Sequence, residues 1–156
     1  MQRKMLIVRR LLEADIDAVV ALERTIFSDP WSEKSIRETY KEERALILVA
    51  EQHDDIVGYC IAYSVLDEVE IARIAVNSSL RRQGIGHELL EHLAKICKEK
   101  GISHLMLEVR EGNDKARAFY HAYGFGVDGI RKNYYQSPVE NAVLMSMVLP
   151  TVPTIN

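Results

Sequence analysis

The sequence predicts an α/β fold, a mixed and mostly antiparallel twisted sheet with a central parallel strand pair and helices on both faces. Three observations lead there. Apolar periodicity switches repeatedly between about 2 and about 3.6 residues along the chain. Three strand-like runs, Ala45 to Gln52, Ile56 to Leu66 and Val69 to Val76, are joined only by the polar turns His53-Asp54-Asp55 and Asp67-Glu68, as in an antiparallel meander. A helical run then separates the third strand from another at Leu105 to Arg110, and a strand–helix–strand crossover makes such a pair parallel.

The remaining elements follow in order. Met5 to Arg9 reads as a first strand. Asp15 is placed to cap a helix with an apolar face of Ile16, Val19, Val20, Ile26 and Phe27, at spacings of three, four and seven. Ser28-Asp29-Pro30 breaks that helix, and Ser32 opens a second one to about Lys41. After the meander, Gly84 and Gly86 lead into a long helix ending near Lys100, with Ile85, Leu89, Leu90, Leu93, Ile96 and Cys97 inward and Gly101 as its C-terminal cap. Asn113 caps a helix carrying Ala116, Phe119, Tyr120 and Tyr123, which Gly124 stops. Strands at about Phe125 to Tyr134 and Ala142 to Leu149 complete the sheet. Residues 1–150 read as one domain and 151–156 as a short flexible tail.

Composition narrows the function. The chain has 156 residues, 47% hydrophobic and 28% charged, enough for an ordinary core without metal or disulfide staples. A net charge of −3 gives no overall basic field for nucleic acid phosphates. Cys60 and Cys97 sit in apolar stretches and read as buried free thiols of a reducing compartment; there is no CxxC, and no histidine pair has ligand spacing, so no metal is expected. The start has only four consecutive apolar residues, too few for a signal peptide, and no apolar run is long enough to span a bilayer. The expectation is a cytoplasmic protein with no membrane partner and no direct nucleic acid partner, either monomer or weak dimer.

The most informative stretch is IAVNSSLRRQGIGHELL, residues 74–90. A strand runs into a loop with two arginines and two glycines, and the loop runs directly into a helix. The first turn of a helix leaves N–H groups unpaired, and its dipole favours negative charge. Glycines let a pyrophosphate approach that backbone, while Arg81 and Arg82 add cationic donors. A P-loop would need a lysine and a hydroxyl after the second glycine, and a dinucleotide fingerprint would need glycine at Leu89; neither is present. A GxG alone also reads as a tight turn before a helix. The RxxGxG form, set between a strand and an amphipathic helix, favours the diphosphate cradle.

Arg81-Arg82-Gln83-Gly84-Ile85-Gly86 resembles the acetyl-CoA signature of the GNAT superfamily of N-acetyltransferases, and the resemblance extends from the first strand to Pro150. FSDPWSE (27–33), VLDE (65–68) with IAV (74–76), LEVREGN (107–113) with AFYHAYGF (118–125), and RKNYY (131–135) resemble the RimI-type ribosomal-protein-alanine N-acetyltransferases. The resemblance implies acetyl-CoA as acetyl donor. It implies that backbone groups of Ile74, Ala75 and Val76 hold the pantetheine arm between the two parallel strands. It further implies that Arg82, Gln83, Gly84, Ile85, Gly86 and His87 wrap the pyrophosphate beside Arg81, and that the Asn113 side chain contacts the cofactor. A plain helix N-cap is an equally good and compatible use of Asn113.

Acetyl transfer from a thioester needs a neutral amine, a stabilised oxyanion and a protonated leaving thiolate. An α-amine, with a pKa of about 7.7–8.0, is roughly a tenth neutral at pH 7, and a lysine near 10.4 far less. An N-terminal acceptor therefore asks little of its base. Glu108 is the candidate: Leu105, Leu107 and Val109 share one face of their strand, and Met106, Glu108 and Arg110 share the other. From spacing alone, a structural ion pair with Arg110 or a helix arginine is the stronger reading; the resemblance to the RimI-type catalytic glutamate reverses that. Tyr120 is the proposed acid, because AFYHAYGF resembles the GNAT segment whose tyrosine faces the CoA sulfur. Phe119, Tyr120 and Tyr123 also fit a core stripe. A backbone N–H, such as that of Val76, would stabilise the oxyanion.

On the acceptor side, Phe27, Pro30 and Trp31 resemble one wall of a peptide site, and Tyr134 with Tyr135 the other, although Trp31 also fits ordinary core. Asp67, Glu68 and Glu70 would favour a basic peptide or simply form a solvated turn. The resemblance thus implies a protein or peptide N-terminus as acceptor, with a ribosomal protein the leading case. A lysine or small-amine acetyltransferase is the alternative, and a non-catalytic acyl-CoA-binding module a further one.

Overall fold

A computed structural model of the chain describes residues 5–150; the tail expected over 151–156 lies outside the described residues. The elements are β1 (Leu6–Arg10), α1 (Ile16–Ile26), α2 (Glu33–Lys41), β2 (Ala45–Gln52), β3 (Asp55–Val65), β4 (Glu68–Val76), α3 (Ile85–Glu99), β5 (His104–Arg110), α4 (Asp114–Tyr123), β6 (Gly126–Gln136) and β7 (Val139–Val148). They form one seven-stranded sheet in the order β1-β2-β3-β4-β5-β7-β6. Among the described residues only β4 and β5 pair in parallel; every other neighbouring pair is antiparallel. The last hairpin enters with β7, not β6, beside β5, which leaves β6 at the sheet edge.

Period-two alternation divides the core between the two faces. On β2 and β3, Leu48, Ala50, Cys60 and Ala62 join the cluster that α3 covers with Leu89, Leu90 and Leu93. Their neighbours Ile47, Val49, Tyr59 and Ile61 face α1 and α2, packing with Ile16, Val19, Val20 and Ile36. Both cysteines are buried free thiols; burial pushes Cys60 up to about 12 and Cys97 up to about 11, so both stay protonated.

Local signals act mostly where the sequence puts them. Ser32 caps α2 by accepting from the Ser35 N–H at 3.1 Å, and Asn113 caps α4 by accepting from Ala116 N–H at 3.2 Å. Asp15 is different. It does not cap α1; its Oδ2 accepts from the Leu12 N–H at 2.8 Å and from Arg9 at 2.7 Å, closing a 3₁₀ turn over Glu13–Asp15 ahead of the helix. Arg9, projecting from β1, outcompetes the helix for that carboxylate and holds it below its ordinary range. Among the described residues no helix is long and apolar enough to cross a membrane.

Candidate active site

The two parallel strands pair from Glu68 opposite His104 to Ile71 opposite Leu107 and then part. The cause is on β4. Against β3 its register shifts between Ile61 and Ala62, which face Arg73 and Ile71, so Ala72 is an extra residue. A bulge bends its strand and increases the local twist. Past it, β4 follows β3 and β5 follows β7, and a gap opens between them. The Asn77 N–H donates to Val57 O at 2.8 Å, toward β3. Backbone groups alternate along a strand, so the N–H and C=O of Val76 and Ile74 point the other way, into the gap. Such an edge suits an extended chain carrying amide groups.

At the far end of β4 the chain enters the predicted cradle. Asn77 accepts from Ser79 N–H at 3.1 Å and fixes a short 3₁₀ turn, Ser78–Leu80. Arg82 (φ 68°) and Gly84 (φ 80°) then take left-handed conformations that swing the chain into α3. A non-glycine residue held there costs about 1–3 kcal/mol, and such strain gathers at ligand clamps. The first intrahelical bond runs from Glu88 N–H to Gly84 O, at 3.0 Å. The amides of Ile85, Gly86 and His87 therefore have no acceptor within the helix. Arg81, Arg82 and Gln83 are exposed around them. A Cβ at Gly84 would meet nothing within 4 Å, so this side of the cradle is open. A Cβ at Gly86 would lie 3.1 Å from the Phe119 ring, so that glycine also lets α4 close on α3. The His87 ring packs edge-on against Tyr123 at 5.6 Å, leaving its backbone for the cradle.

Coenzyme A should therefore raise the melting temperature, and ATP and NAD far less, because only a ligand bound to the folded state stabilises it. Gly84→Val should lose about tenfold or more in CoA affinity by calorimetry, together with about 1–2 kcal/mol of stability from its positive φ. Unchanged CoA affinity in a folded Gly84→Val protein would contradict this placement.

The proposed base and acid come from opposite sides of the sheet. Leu105, Leu107 and Val109 face α3, so Glu108 looks out on the face of α1 and α2, as the alternation predicts. Its Oε1 lies 3.4 Å from Arg131 Nη1 on β6. The ion pair with Arg110 weighed from the sequence is not made; Arg110 instead pairs with Glu140 at 3.2 Å and covers the Tyr135 ring at 4.2 Å. Between Arg131 and Tyr135 the β6–β7 register slips, so residues 132–134 form a bulge. Asn133, with φ 54°, donates its N–H to Asn141 at 2.9 Å and stabilises that bulge. Tyr134 lies near Glu108, and that carboxylate raises the Tyr134 phenol above its ordinary value.

Tyr120 approaches from α4 and packs edge-on against Phe119 (5.3 Å) and Phe125 (5.5 Å). Burial pushes its phenol well above the ordinary value, with nearby Cys60 adding to the shift. It therefore carries its proton across the physiological range, as an acid must before transfer.

Phe27 and Trp31 are half-buried against the α1–α2 cluster, and Pro30 between them is exposed. A buried charge cluster holds this loop. Glu23 of α1 is 0% exposed. It accepts from Arg73 Nη2 at 2.7 Å, from Trp31 N–H at 2.8 Å and from the Tyr59 hydroxyl. Burial alone would raise the Glu23 carboxyl, but these donors together hold it below its ordinary range. Sequence reasoning passed over Glu23, Tyr59 and Arg73. One signal was present: Glu23 continues the buried stripe of Ile16, Val19 and Val20 at spacings of seven, four and three. Among the described residues, no group of three or more His, Cys, Asp or Glu side chains could hold a metal ion.

Residues 16–125 match the model of the acetyltransferase (GNAT) family. The chain belongs to that family. Members of the GNAT family take their acetyl group from acetyl-CoA, and the gap and cradle lie where an extended amide arm and a diphosphate would fit. A relative from Escherichia coli K12, a [ribosomal protein bS18]-alanine N-acetyltransferase, is 36% identical over 135 residues, covering 85% of this GNAT chain and 90% of that protein. The crystal structure of the ribosomal-protein-S18-alanine N-acetyltransferase from Escherichia coli superposes with a TM-score of 0.87 at 34% identity, over 97% of this chain and 98% of that one. Ard1 from Thermoplasma volcanium superposes with a TM-score of 0.85 at 27% identity, over 93% and 98%.

Proposed function

We propose that this GNAT acetyltransferase moves an acetyl group from acetyl-CoA to the N-terminal α-amine of a protein, in the cytoplasm, with a ribosomal protein as acceptor. The observation that carries the reading is the parted strand pair; Glu108 on the face of α1 and α2 and Tyr120, packed with its proton held on the α3 side, support a base and an acid on its two sides. The acceptor class rests on the names of the Escherichia coli relatives. It also rests on Glu68 and Glu70, which share a sheet face with Glu108 and give the approach the negative charge that suits a basic peptide.

In this mechanism Ile74 and Val76 hold the donor's amide arm through their backbone groups, and the amides of Ile85, Gly86 and His87 bind its diphosphate with Arg81, Arg82 and Gln83 around them. Asn113, the cap of α4, adds a side-chain contact to the donor. The Val76 N–H faces the thioester oxygen as negative charge grows there. Glu108, directly or through a water, accepts the proton that the amine nitrogen loses as its bond to the acetyl carbon forms. Tyr120 gives its proton to the sulfur as the carbon–sulfur bond breaks, and recovers one from solvent. Tyr134 steers the Glu108 carboxylate and, with Phe27, Pro30 and Trp31, lines the acceptor groove.

A basic peptide beginning with alanine and carrying internal lysines tests the acceptor. Mass spectrometry should find the α-amine acetylated and the lysines left largely untouched. Modification of the lysines alone would move the enzyme to the lysine or small-amine class, and binding of acetyl-CoA with no transfer to any amine would make it an acyl-CoA-binding module.

A further inference from the structure

The Glu23–Arg73–Tyr59 cluster joins the two halves of the site. Arg73 lies on β4 one residue before Ile74, whose backbone faces the gap, so it is attached to the strand that lines the donor. Its Nη2 donates to Glu23 at 2.7 Å and to the Asp29 carbonyl at 3.1 Å, and its guanidinium carbon sits 3.7 Å from the Phe27 ring centre and 5.7 Å from Trp31. The other Glu23 contacts reach the Trp31 N–H and Tyr59 on β3. One guanidinium therefore ties down both a loop carbonyl and a loop ring, and one carboxylate ties down a loop amide.

This is costly construction. A buried charge pair of this kind usually adds little to stability over well-packed apolar residues, although breaking it is strongly destabilising. Apolar side chains would cover the Phe27 ring as well, but they would leave the Asp29 carbonyl and the Trp31 N–H without these partners. What the charged cluster adds is a fixed position for the Phe27–Trp31 loop relative to β4, and a planar, five-donor guanidinium suits that task better than an ammonium.

We propose that Arg73, held by Glu23 and Tyr59, is a positioning residue that sets the acceptor wall Phe27–Trp31 against the donor strand and so determines acceptor affinity. This rests on the acceptor reading above. Arg73 is not placed at the reacting atoms; it acts through the loop.

The test compares Arg73→Lys, Arg73→Met, Glu23→Gln and Tyr59→Phe with the parent in the full chain. Arg73→Met should raise the KM for the alanine-initiated basic peptide about tenfold or more, with KM for acetyl-CoA and kcat changed less than about threefold. Arg73→Lys should recover only part of that loss, since an ammonium lacks the guanidinium's planar fork. Tyr59→Phe keeps the Arg73–Glu23 pair, and it supplies a folded variant with a smaller change in the same direction if Glu23→Gln does not fold. Trp31 is the only tryptophan in the chain, so its fluorescence reports the loop. Acrylamide quenching of Trp31 should increase in Arg73→Met, and the peptide should protect Trp31 in the parent. Folded variants with unchanged peptide KM and unchanged Trp31 quenching would overturn the proposal, as would equal losses for both substrates that follow melting temperature. If the parent acetylates no peptide N-terminus, the acceptor reading fails instead; Trp31 quenching and calorimetric acetyl-CoA affinity then still show whether Arg73 holds the loop.

Discussion

Tyr120→Phe should lower turnover by about one to three orders of magnitude while leaving acetyl-CoA affinity nearly unchanged. The substitution removes one hydroxyl and keeps the ring, so the edge-on contacts with Phe119 at 5.3 Å and Phe125 at 5.5 Å survive. What goes is the proton for the departing sulfur. Because burial raises that phenol above its ordinary value, the parent should show no loss of rate from Tyr120 ionisation below about pH 10. Steady-state rates with calorimetric acetyl-CoA binding check both statements. A folded variant that keeps its turnover but melts earlier would mean that Tyr120 serves only the aromatic packing among α3, α4 and Phe125.

Glu108→Gln should be slow near neutrality and recover partly as the pH rises. The Glu108 partner is Arg131, itself 57% exposed, so deleting the charge leaves no buried cation behind and melting should change little. The missing function is proton acceptance, and higher pH supplies it by deprotonating the acceptor in advance. For an α-amine near pKa 7.8, the neutral fraction rises from about 0.14 at pH 7 to about 0.94 at pH 9, so recovery saturates at about sevenfold. For a lysine near 10.4 the same interval gives about a hundredfold, with no plateau. The pH profile of kcat/KM thus tests the base and the acceptor class together. A variant equal to the parent at every pH would remove Glu108 from proton transfer and leave it as the ion partner of Arg131.

How much of this was legible follows from the range of the forces involved. Ser32 and Asn113 cap their helices as read, because a cap bonds an amide only three residues away. Asp15 was misread because its stronger partner, Arg9, lies outside the helix signal on another element. The alternation that turns Glu108 away from Leu107 and Val109 is strictly local and held. Its pairing with Arg131 was hidden because β7 inserts between β5 and β6, and a register slip at 132–134 then sets Tyr134 near Glu108.

The sequence by itself determined the α/β class, the crossover that makes β4 and β5 parallel, the glycine-bearing entry into α3, and the family those residues mark. The first three depend on periodicity, chain connectivity or a residue's own φ preference, and the family on the resemblance carried by Arg81 to Gly86; none needs a distant partner. Only the tertiary structure decided that an extra residue at Ala72 parts the two strands, and that Glu23, Tyr59 and Arg73 meet under the Phe27–Trp31 loop. The cluster joins α1, β3 and β4 across separations of 36 and 50 residues. A carboxylate so removed from water is stable only with donors around it, and folding alone brings those donors together.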